Sequence, residues 1–326
     1  MGYIGSHTAV QLLLSGYKVH IYDNLCNSNI DTLQRIKRIA GKDLGFTHGD
    51  ILDTQKLTVA LEENSIEAVI HLAGLKAVGE SSKKPIEYYS NNVQGSISLI
   101  QAMQAVQIST LVFSSSATVY GDPIYLPYDE AHPTFPTNAY GHNKLQIEQM
   151  LHDLAFSDKN WRISCLRYFN PVGAHESGLI GENPNGVPNN LMPVIGEVAS
   201  GKLAQLSIFG NDYNTPDGTG KRDYIHVMDL ADGHLMALNW LQENLGCHTF
   251  NLGSGSSISV LELLRCFEKI SAKKIPYQIV ARRLGDLSEY YAKVDKAEKI
   301  LGWKTRRGLE DICTSSWSWI KNSKNN

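Results

Sequence analysis

The sequence predicts an α/β protein built on a doubly wound parallel sheet. Short apolar runs alternate with segments of helical periodicity through the first half of the chain, and this alternation is typical of parallel strands joined by helices. Gly2 and Gly5 stand at the start of the first helical segment, and Asp23 ends the strand that follows it. Ligands of such a sheet bind at the carboxyl ends of its strands, so we expect the functional residues there.

The first half of the chain carries a regular series of predicted elements. A helix over residues 8–14 comes first, and a strand over residues 18–23 follows it. Pro85 suits the first turn of a long helix that contains Asn91 and Asn92. Further strands are predicted at residues 46–50, 68–74 and 110–113, and a further helix begins at Tyr140.

Beyond residue 168 the character of the sequence changes. Gly, Pro and Asn become frequent over residues 178–193, but no linker or low-complexity segment separates two parts. We therefore predict a dinucleotide-binding domain at residues 1–170 and a smaller α/β substrate domain at residues 171–326, interleaved with the first. Ser259 and Glu262 have the spacing of a capping box. The elements predicted in this part are strands at residues 206–209 and 277–280 and helices at residues 259–270 and 309–320.

Composition and charge argue against several classes of protein. The formal net charge of −3 gives no reason to expect a nucleic-acid partner. Apolar runs are too short to span a membrane, so no membrane association is predicted. The odd number of cysteines and their spacing favour reduced thiols over disulfides or a metal site, and reduced thiols indicate the cytoplasm. The cysteines are Cys26, Cys165, Cys247, Cys266 and Cys313.

A group of residues suited to acid/base catalysis is predicted at the end of the fourth strand and the start of the helix after it. Ser114, Ser115 and Ser116 end the apolar strand, while Tyr140 and Lys144 lie four residues apart and share one face of a helix. A phenol has a pKa of about 10, and a neighbouring ammonium favours its phenolate. A hydroxyl at the strand end could share the proton, which suits the oxidation of an alcohol. An ordinary amphipathic helix is the alternative, and the nucleotide-fold spacing around the pair weighs against it.

The start of the chain resembles part of a dinucleotide-binding fingerprint. The backbone amides after Gly2 and Gly5 would hold a pyrophosphate at a helix N-terminus. Asp23 would bind the hydroxyls of the adenosine ribose and so favour NAD over NADP, and Asp50 and Ile51 would lie near the adenine. A capped helix start would give the same two glycines, but the acidic residue at the strand end favours the cofactor.

Three arginines in the second half could bind an anionic substrate. The side chains of Arg222, Arg282 and Arg283 suit a diphosphate, because a guanidinium binds two oxygens at once. Solvated surface arginines are an equally good explanation for any one of them.

Long stretches of this chain resemble the UDP-galactose 4-epimerase family, which belongs to the extended short-chain dehydrogenases/reductases. The pair Tyr140 and Lys144 alone is a weak signal, whereas so many matches in one order are specific. The matching stretches cover residues 2–8, 23–28, 73–81, 113–121, 166–175, 188–193, 208–213 and 217–232.

The resemblance implies a Rossmann-type sheet, tightly kept NAD and a role for each matching residue. It makes Tyr140 the base, Lys144 its electrostatic support and a ligand of the nicotinamide ribose, and Ser116 the partner of the sugar 4-oxygen. The positions implied for NAD are Gly2, Tyr3, Ile4, Gly5, Asp23, Asn24, Leu25, Cys26, Asn27, Ser28, Asp50, Ile51, Leu72, Ala73, Gly74, Leu75, Lys76, Asn91, Tyr140, Lys144 and Phe169. Those implied for the UDP-sugar are Ser116, Asn170, Asn190, Leu191, Ser207, Ile208, Phe209, Arg222, Arg283, Leu284, Gly285, Asp286 and Tyr290.

The reaction that the resemblance implies is the interconversion of UDP-galactose and UDP-glucose through a 4-keto sugar. Tyr290 would leave little room for an N-acetyl group on the sugar. A homodimer is also implied, with helices around residues 85–104 and 140–155 pairing between two copies. The nearest enzyme alternative is a nucleotide-sugar 4,6-dehydratase, but such relatives carry Thr-Asp-Glu where this chain has Ser116, Ala117 and Thr118.

The resemblance also predicts a segment ahead of Gly2. Members of the family begin with an apolar strand and the first glycine of the fingerprint. Losing about five buried apolar side chains would forfeit roughly 7–15 kcal/mol of burial, and the turn beneath the pyrophosphate would be missing. We therefore expect the native chain to carry about one more strand, and the 326-residue chain to retain NAD weakly and show little activity. The alternative is that this chain is an inactive, truncated protein of the NAD-binding fold with at most an interaction role.

Overall fold

The computed structural model describes residues 1–184, 186, 188, 190–283 and 285–323. Helices and strands alternate along these residues, as the sequence predicts. The α-helices are α1 (Tyr3–Leu14), α2 (Asp31–Ala40), α3 (Thr54–Glu63), α4 (Val78–Ser81), α5 (Pro85–Tyr88), α6 (Gly95–Ala105), α7 (Ala139–Ser157), α8 (Leu191–Ala199), α9 (Val227–Leu241), α10 (Val260–Ser271), α11 (Asp295–Leu301) and α12 (Leu309–Asn322). The strands are β1 (His20–Asp23), β2 (Gly45–His48), β3 (Val69–His71), β4 (Thr110–Ser116), β5 (Arg162–Tyr168), β6 (Asn170–Val172), β7 (Leu206–Phe209), β8 (Lys221–Arg222), β9 (Tyr224–His226), β10 (Gly246–Leu252), β11 (Ile258–Ser259), β12 (Tyr277–Val280) and β13 (Glu289–Tyr290).

The first half of the chain forms parallel sheets, in agreement with the predicted fold class. Four strands pair in parallel in the order β10-β5-β4-β3, and β1 pairs in parallel with β2. Within the described residues these two groups are separate hydrogen-bonded sheets. The expectation of a further strand ahead of Gly2 stays a prediction.

Helices cover both faces of the four-stranded sheet, which explains why its strands read as continuous apolar runs. On one face, α3, α6 and α7 pack against Leu111 and Phe113 of β4. On the other face, α1, α9 and α11 pack against Val112. Alternate side chains of β4 therefore pack into the hydrophobic cores on opposite faces of the sheet. The strand ends at Ser116.

The second half of the chain does not form a separate continuous unit. Strand β10 lies at an edge of the four-stranded sheet and α9 covers one of its faces. The remaining elements build a smaller α/β layer with a core of its own, in which α8, α10 and α12 pack around β7. Residue ranges 1–170 and 171–326 therefore exchange elements across their boundary.

Several predicted boundaries differ from the observed ones. Helix α1 begins at Tyr3, five residues before the predicted start. The long helix expected from Pro85 is interrupted by a π-helical segment, Tyr89–Gln94, between α5 and α6. The capping box is confirmed, since the Ser259 hydroxyl accepts from the Glu262 amide (3.0 Å) and the Glu262 carboxylate accepts from the Ser259 amide (2.6 Å).

Within the described ranges, no helix combines the length and the apolar character needed to cross a bilayer. In the same part of the chain, no three His, Cys, Asp or Glu side chains are grouped as metal ligands would be.

Candidate active site

The start of α7 places Tyr140 against the end of β4. Asn138 caps the helix, since its side-chain oxygen accepts from the Gly141 amide (2.9 Å). The Tyr140 amide donates to the Ser81 hydroxyl (3.2 Å). Loss of hydration raises the pKa of the Tyr140 phenol to about 12, and a hydrogen bond with Ser116 opposes this shift. Tyr140 and Ser116 are thus brought together as the sequence predicts.

Lys144 lies one turn further along α7, at the bottom of the same site. Its ammonium donates to the Ser114 carbonyl (2.6 Å) and lies 4.9 Å from the centre of the Phe113 ring. Burial lowers the pKa of Lys144 to about 8, and the charge of Glu148 opposes that shift. The side chain is therefore held rigidly below the phenol.

Burial opposes the effect that Lys144 is expected to have on the Tyr140 phenol. The sequence predicts that Lys144 lowers the pKa of Tyr140, whereas burial dominates and the pKa of the phenol is raised. The nitrogen of Lys144 lies 5.8 Å from the ring centroid of Tyr140 and donates to a backbone carbonyl. A phenolate in this site therefore needs additional stabilisation. A hydrogen bond from Ser116 would supply part of it, and a positive charge on a bound ligand would supply more.

The hydroxyl of Ser116 is fixed by the turn that follows β4. The Thr118 hydroxyl donates to the Ser116 oxygen at 2.9 Å, and the Thr118 amide donates to it at 3.2 Å. A short 3₁₀ turn, Ala117–Val119, begins there. Ser116 is thus a positioned hydroxyl at the end of the central strand.

Sequence reasoning missed a buried ion pair next to Lys144 on α7. The Glu148 carboxylate accepts from Nε of Arg167 at 3.0 Å and from its terminal nitrogen at 2.6 Å. Ser115 also donates to Glu148. Glu148 lies four residues beyond Lys144, on the same face of α7, and this spacing was the available signal. The pair connects α7 to β4 and β5.

A loop at the end of β3 approaches Lys144 and is held by the π-helical segment. The Asn92 side chain accepts from the Leu75 amide (2.8 Å) and donates to the Leu75 carbonyl (3.0 Å). Asn91 donates to Asn92 (2.9 Å). A methyl group on Gly74 would lie 3.2 Å from Asn92 and 3.9 Å from the nitrogen of Lys144. Residues 72–76, Asn91 and Lys144 therefore converge, and the sequence had not singled out Asn92.

The N-terminus of α1 and the end of β1 form a second polar region. No side chain of the described residues caps α1, and its first internal hydrogen bond runs from the Ser6 amide to the Gly2 carbonyl (2.9 Å). The N-terminal ammonium of Met1 contacts Asp23 (2.6 Å), so Asp23 lies beside this helix end. Uncapped helix amides next to a carboxylate fit the pyrophosphate and ribose of a dinucleotide.

The loop after β1 is organised by Asp23 and continues toward β2. The Asp23 carboxylate accepts from the Leu25 amide and from the Ser28 hydroxyl, each at 2.8 Å. The Asn24 side chain donates to Asp50 (2.9 Å). The predicted positions 23–28 and 50–51 thus form one continuous wall. Tyr3 leaves this wall, since its hydroxyl donates to the Gly173 carbonyl (2.6 Å).

On the opposite side of Ser116, four predicted substrate residues form one cluster. Arg222 and Asp286 form an ion pair, and the guanidinium carbon of Arg222 lies 4.8 Å from the centre of the Tyr290 ring. The Tyr290 hydroxyl donates to the Asn170 side chain (3.1 Å). The Phe169 and Tyr290 rings are 6.2 Å apart. These side chains could hold an anion beside an aromatic wall.

A small apolar cluster joins the two halves of the site. Val119 and Phe169 are buried in it together with Ala292, and Ala117 and Tyr290 pack against it. The turn after Ser116 therefore touches the wall that carries Tyr290. Phe169, predicted for the cofactor, and Tyr290, predicted for the substrate, therefore both lie beside this turn.

The remaining predicted residues lie further out. Arg283 stacks over Phe209 of β7, with 3.9 Å between the guanidinium carbon and the ring centre, close to Ser207 and Ile208 on the same strand. Asn190 donates to Glu182 (2.6 Å), which Lys76 also contacts (3.5 Å). Leu191 begins α8 and Gly285 follows Arg283 along the chain, while Leu284 lies outside the described residues.

Arg282 is the candidate that the structure separates from the site. Its guanidinium forms an exposed ion pair with Asp212 (2.7 Å) and stacks on Tyr213 at 4.0 Å. The alternative of a surface arginine therefore fits Arg282, whereas Arg222 faces the aromatic wall.

Comparison with known proteins agrees with this arrangement. A family model described as GDP-mannose 4,6 dehydratase matches residues 1–316. The UDP-glucose 4-epimerase of Bacillus subtilis is 53% identical over 324 residues, 99% of this chain and 96% of that protein. The Haemophilus influenzae UDP-glucose 4-epimerase is 54% identical over 323 residues, with the same two coverages.

Solved structures of UDP-glucose 4-epimerases share the fold of this chain. The UDP-glucose 4-epimerase of Stenotrophomonas maltophila with bound NAD and formylated UDP-arabinopyranose superposes with a TM-score of 0.97 at 47% identity, covering 99% of this chain and 96% of that one. The Bifidobacterium longum UDP-glucose 4-epimerase in complex with NAD⁺ and UDP superposes with a TM-score of 0.96 at 47% identity, covering 99% and 97%.

Proposed function

This chain belongs to the UDP-glucose 4-epimerase family of extended short-chain dehydrogenases/reductases, and we propose that it interconverts UDP-glucose and UDP-galactose with bound NAD. The observation that carries the proposal is the convergence of Ser116, Tyr140 and Lys144 at the strand ends, between a wall suited to a dinucleotide and the Arg222 cluster. Relatives more than half identical over 99% of the chain support it. The activity belongs to galactose metabolism.

The proposed roles at the reacting carbon follow from the geometry. Tyr140, as phenolate, removes the proton of the sugar 4-hydroxyl, and Ser116 donates a hydrogen bond to the oxygens that exchange this proton. Bound NAD supplies the acceptor and later the donor of the hydride at C4. Lys144 and the Ser116 hydroxyl favour the phenolate, and Tyr140 returns the proton to the 4-keto oxygen. Inversion requires the keto sugar to turn within the site, while the diphosphate stays bound.

We assign the cofactor to the wall along β1, β2 and β3. The amides at the start of α1 suit the pyrophosphate, and Asp23 suits the adenosine ribose. Residues 24–28 and 50–51 would border the adenosine half. Residues 72–76, Asn91, Lys144 and Phe169 would border the nicotinamide half.

We assign the UDP-sugar to the opposite wall. Arg222 and Arg283 would bind the diphosphate, because a guanidinium binds two oxygens at once and each of the two groups is stacked on an aromatic ring, Tyr290 or Phe209. Asn170, Asp286 and Tyr290 would contact the sugar and ribose hydroxyls. Asn190, Leu191 and residues 207–209 would border the uridine.

The deciding variant is Tyr140→Phe, which removes the base and keeps the ring. We expect kcat to fall by several orders of magnitude, because the variant lacks the oxygen that we propose as the proton acceptor. Bound NAD and thermal stability should stay near wild type. Tyr277→Phe, at an exposed tyrosine of β12, serves as the matched control. Near-normal turnover of Tyr140→Phe would reject the assignment.

A nucleotide-sugar dehydratase is the alternative that the name of the family model raises. Water elimination across C5 and C6 needs an acid/base pair next to Ser116. Ala117 and Thr118 carry no carboxyl group, and the Thr118 hydroxyl is bonded to Ser116. We therefore expect no 4-keto-6-deoxy sugar when UDP-glucose or another nucleotide sugar is supplied.

We further propose a cytoplasmic homodimer. The helices around residues 85–104 and 140–155 would pair with their counterparts in a second copy. Ile86, which is 78% exposed on α5, supports such a contact. Light scattering at micromolar concentration should give twice the chain mass, and a monomer would count against this proposal. The two domains would be residues 1–170 and 171–326, sharing the sheet through β10.

A further inference from the structure

The oxygen of Ser116 receives two hydrogen bonds from a single residue. The Thr118 hydroxyl donates to it at 2.9 Å and the Thr118 amide at 3.2 Å. A hydroxyl offers one hydrogen and two acceptor lone pairs. Both acceptor positions of Ser116 are therefore filled by Thr118, and its one hydrogen must be directed to a different group.

Tyr140 is the titratable group that interacts with the Ser116 hydroxyl. A hydrogen bond between Ser116 and Tyr140 lowers the pKa of the phenol, against the burial that raises it. A donor stabilises a phenolate, whereas an acceptor stabilises the neutral phenol. The direction of the Ser116 hydrogen bond thus decides whether Ser116 helps or hinders the formation of the base.

We propose that Thr118 is a positioning residue that forces the Ser116 hydroxyl to act as a donor toward the Tyr140 oxygen. Without the Thr118 hydroxyl, Ser116 has a free lone pair and can rotate to accept a hydrogen bond from the phenol. Thr118 thereby acts on proton transfer without contacting the sugar. The link to turnover rests on the proposed function, whereas the effect on the phenol does not.

A purely structural role for the same contact is the competing explanation. Ser116 caps the 3₁₀ turn Ala117–Val119 by accepting from the Thr118 amide. The amide alone satisfies this cap, so the second bond, from the hydroxyl, is additional. Thr118→Val keeps the amide and the shape of the side chain and removes only the hydroxyl. This variant therefore separates the two explanations.

The experiment compares the NAD-bound wild type with Thr118→Val, Thr118→Ala and Thr118→Ser. The phenol of Tyr140 is titrated by its ultraviolet phenolate absorbance, as the difference between each protein and the same protein carrying Tyr140→Phe. We expect Thr118→Val and Thr118→Ala to raise this pKa by about 0.5 to 1 unit, the size of one hydrogen bond. Thr118→Ser, which keeps a hydroxyl, should match the wild type.

Turnover should follow the same pattern. Below the pKa of the phenol, kcat should fall about threefold to tenfold in the Val and Ala variants, with KM little changed and the acidic limb of the pH profile shifted upward. An unchanged phenol pKa in Thr118→Val and Thr118→Ala would overturn the proposal. A lower melting temperature with an unchanged pKa would also overturn it, because it would indicate a purely structural role for the Thr118 hydroxyl. A wild type without epimerase activity that still shows the pKa difference would reject the proposed function and leave this inference standing.

Discussion

The Lys144 ammonium and the Tyr140 ring lie on one face of α7, with 5.8 Å between the nitrogen and the ring centroid. The ammonium is anchored to the Ser114 carbonyl at the end of β4. Its position is therefore set by the sheet as well as by the helix. The charge acts on the phenol through space.

Removing this charge should weaken the base. We expect Lys144→Met to raise the pKa of the Tyr140 phenol further and to lower kcat at neutral pH by about a hundredfold or more. Part of the loss should be recovered at high pH, where the phenolate forms without help. Measurement of kcat at several pH values between about 6 and 10 checks this expectation. Lys84→Met, at a half-exposed position, should leave kcat unchanged. A kcat of Lys144→Met equal to that of the wild type would contradict the role of Lys144 in stabilising the phenolate.

Buried imidazoles should make the fold sensitive to acid. Burial lowers the pKa of His71 and His226 to about 3 and the pKa of His7 and His234 to about 4. Because these folded-state values lie below the ordinary value of about 6.5, the stability that neutral imidazoles contribute is complete above pH 6.5. It is lost as the pH falls toward the folded-state values, by about 1.4 kcal/mol per pH unit and group.

Urea unfolding at pH 7.5, 6.0 and 5.0 measures this loss. We expect the unfolding free energy to decrease steadily over the three values. His234→Gln should show a shallower decrease, although its stability at pH 7.5 should also be lower. A free energy that stays constant between pH 7.5 and 5.0 would contradict the prediction.

Gly141 allows α7 to approach the turn after β4. A methyl group at this position would lie 2.8 Å from the Thr118 carbonyl oxygen and 3.0 Å from a carbon of Pro136. Gly141→Ala should therefore displace the start of α7 and Tyr140 with it, lowering kcat about tenfold to a hundredfold. Gly79→Ala, a helical glycine with no neighbour within 4 Å, is the control. An unaltered kcat in Gly141→Ala would show that the helix start tolerates the methyl group.

Tyr290 should set the width of the sugar site. Its ring is fixed by Arg222 on one side and its hydroxyl by Asn170. Tyr290→Ser should raise kcat/KM for UDP-N-acetylglucosamine relative to UDP-glucose by about tenfold or more, since space for the added group opens. Tyr290→Phe keeps the wall and should leave the ratio low. Comparable kcat/KM for both sugars in the wild type would contradict the prediction.

Features with a local signal were predictable from the sequence. The strands of the parallel sheet read as apolar runs because helices bury both of their faces. The Ser259–Glu262 capping box depends on four consecutive residues, and it forms as predicted. The contact between Ser116 and Tyr140 followed from placing a strand end next to a helix start.

Features that depend on distant packing were not predictable in the same way. Glu148 and Arg167 are 19 residues apart and pair only because α7 lies against β5. The pKa of Tyr140 moves opposite to expectation because its hydration is lost on folding, which residue spacing does not reveal. The strand predicted ahead of Gly2 stays a prediction, as do the individual site assignments.

In the π-helical segment Tyr89–Gln94, the conformation that positions Asn92 differs from the most stable helical conformation. A π-turn holds one more residue than an α-helical turn, and its rarity outside functional sites indicates that it is less stable than the α-helix. Deleting one residue there would give a continuous helix from Pro85 to Ala105 and would rotate Asn92 away from the Leu75 backbone. Selection for thermal stability alone would therefore favour shortening this segment, while selection for turnover would retain the extra residue.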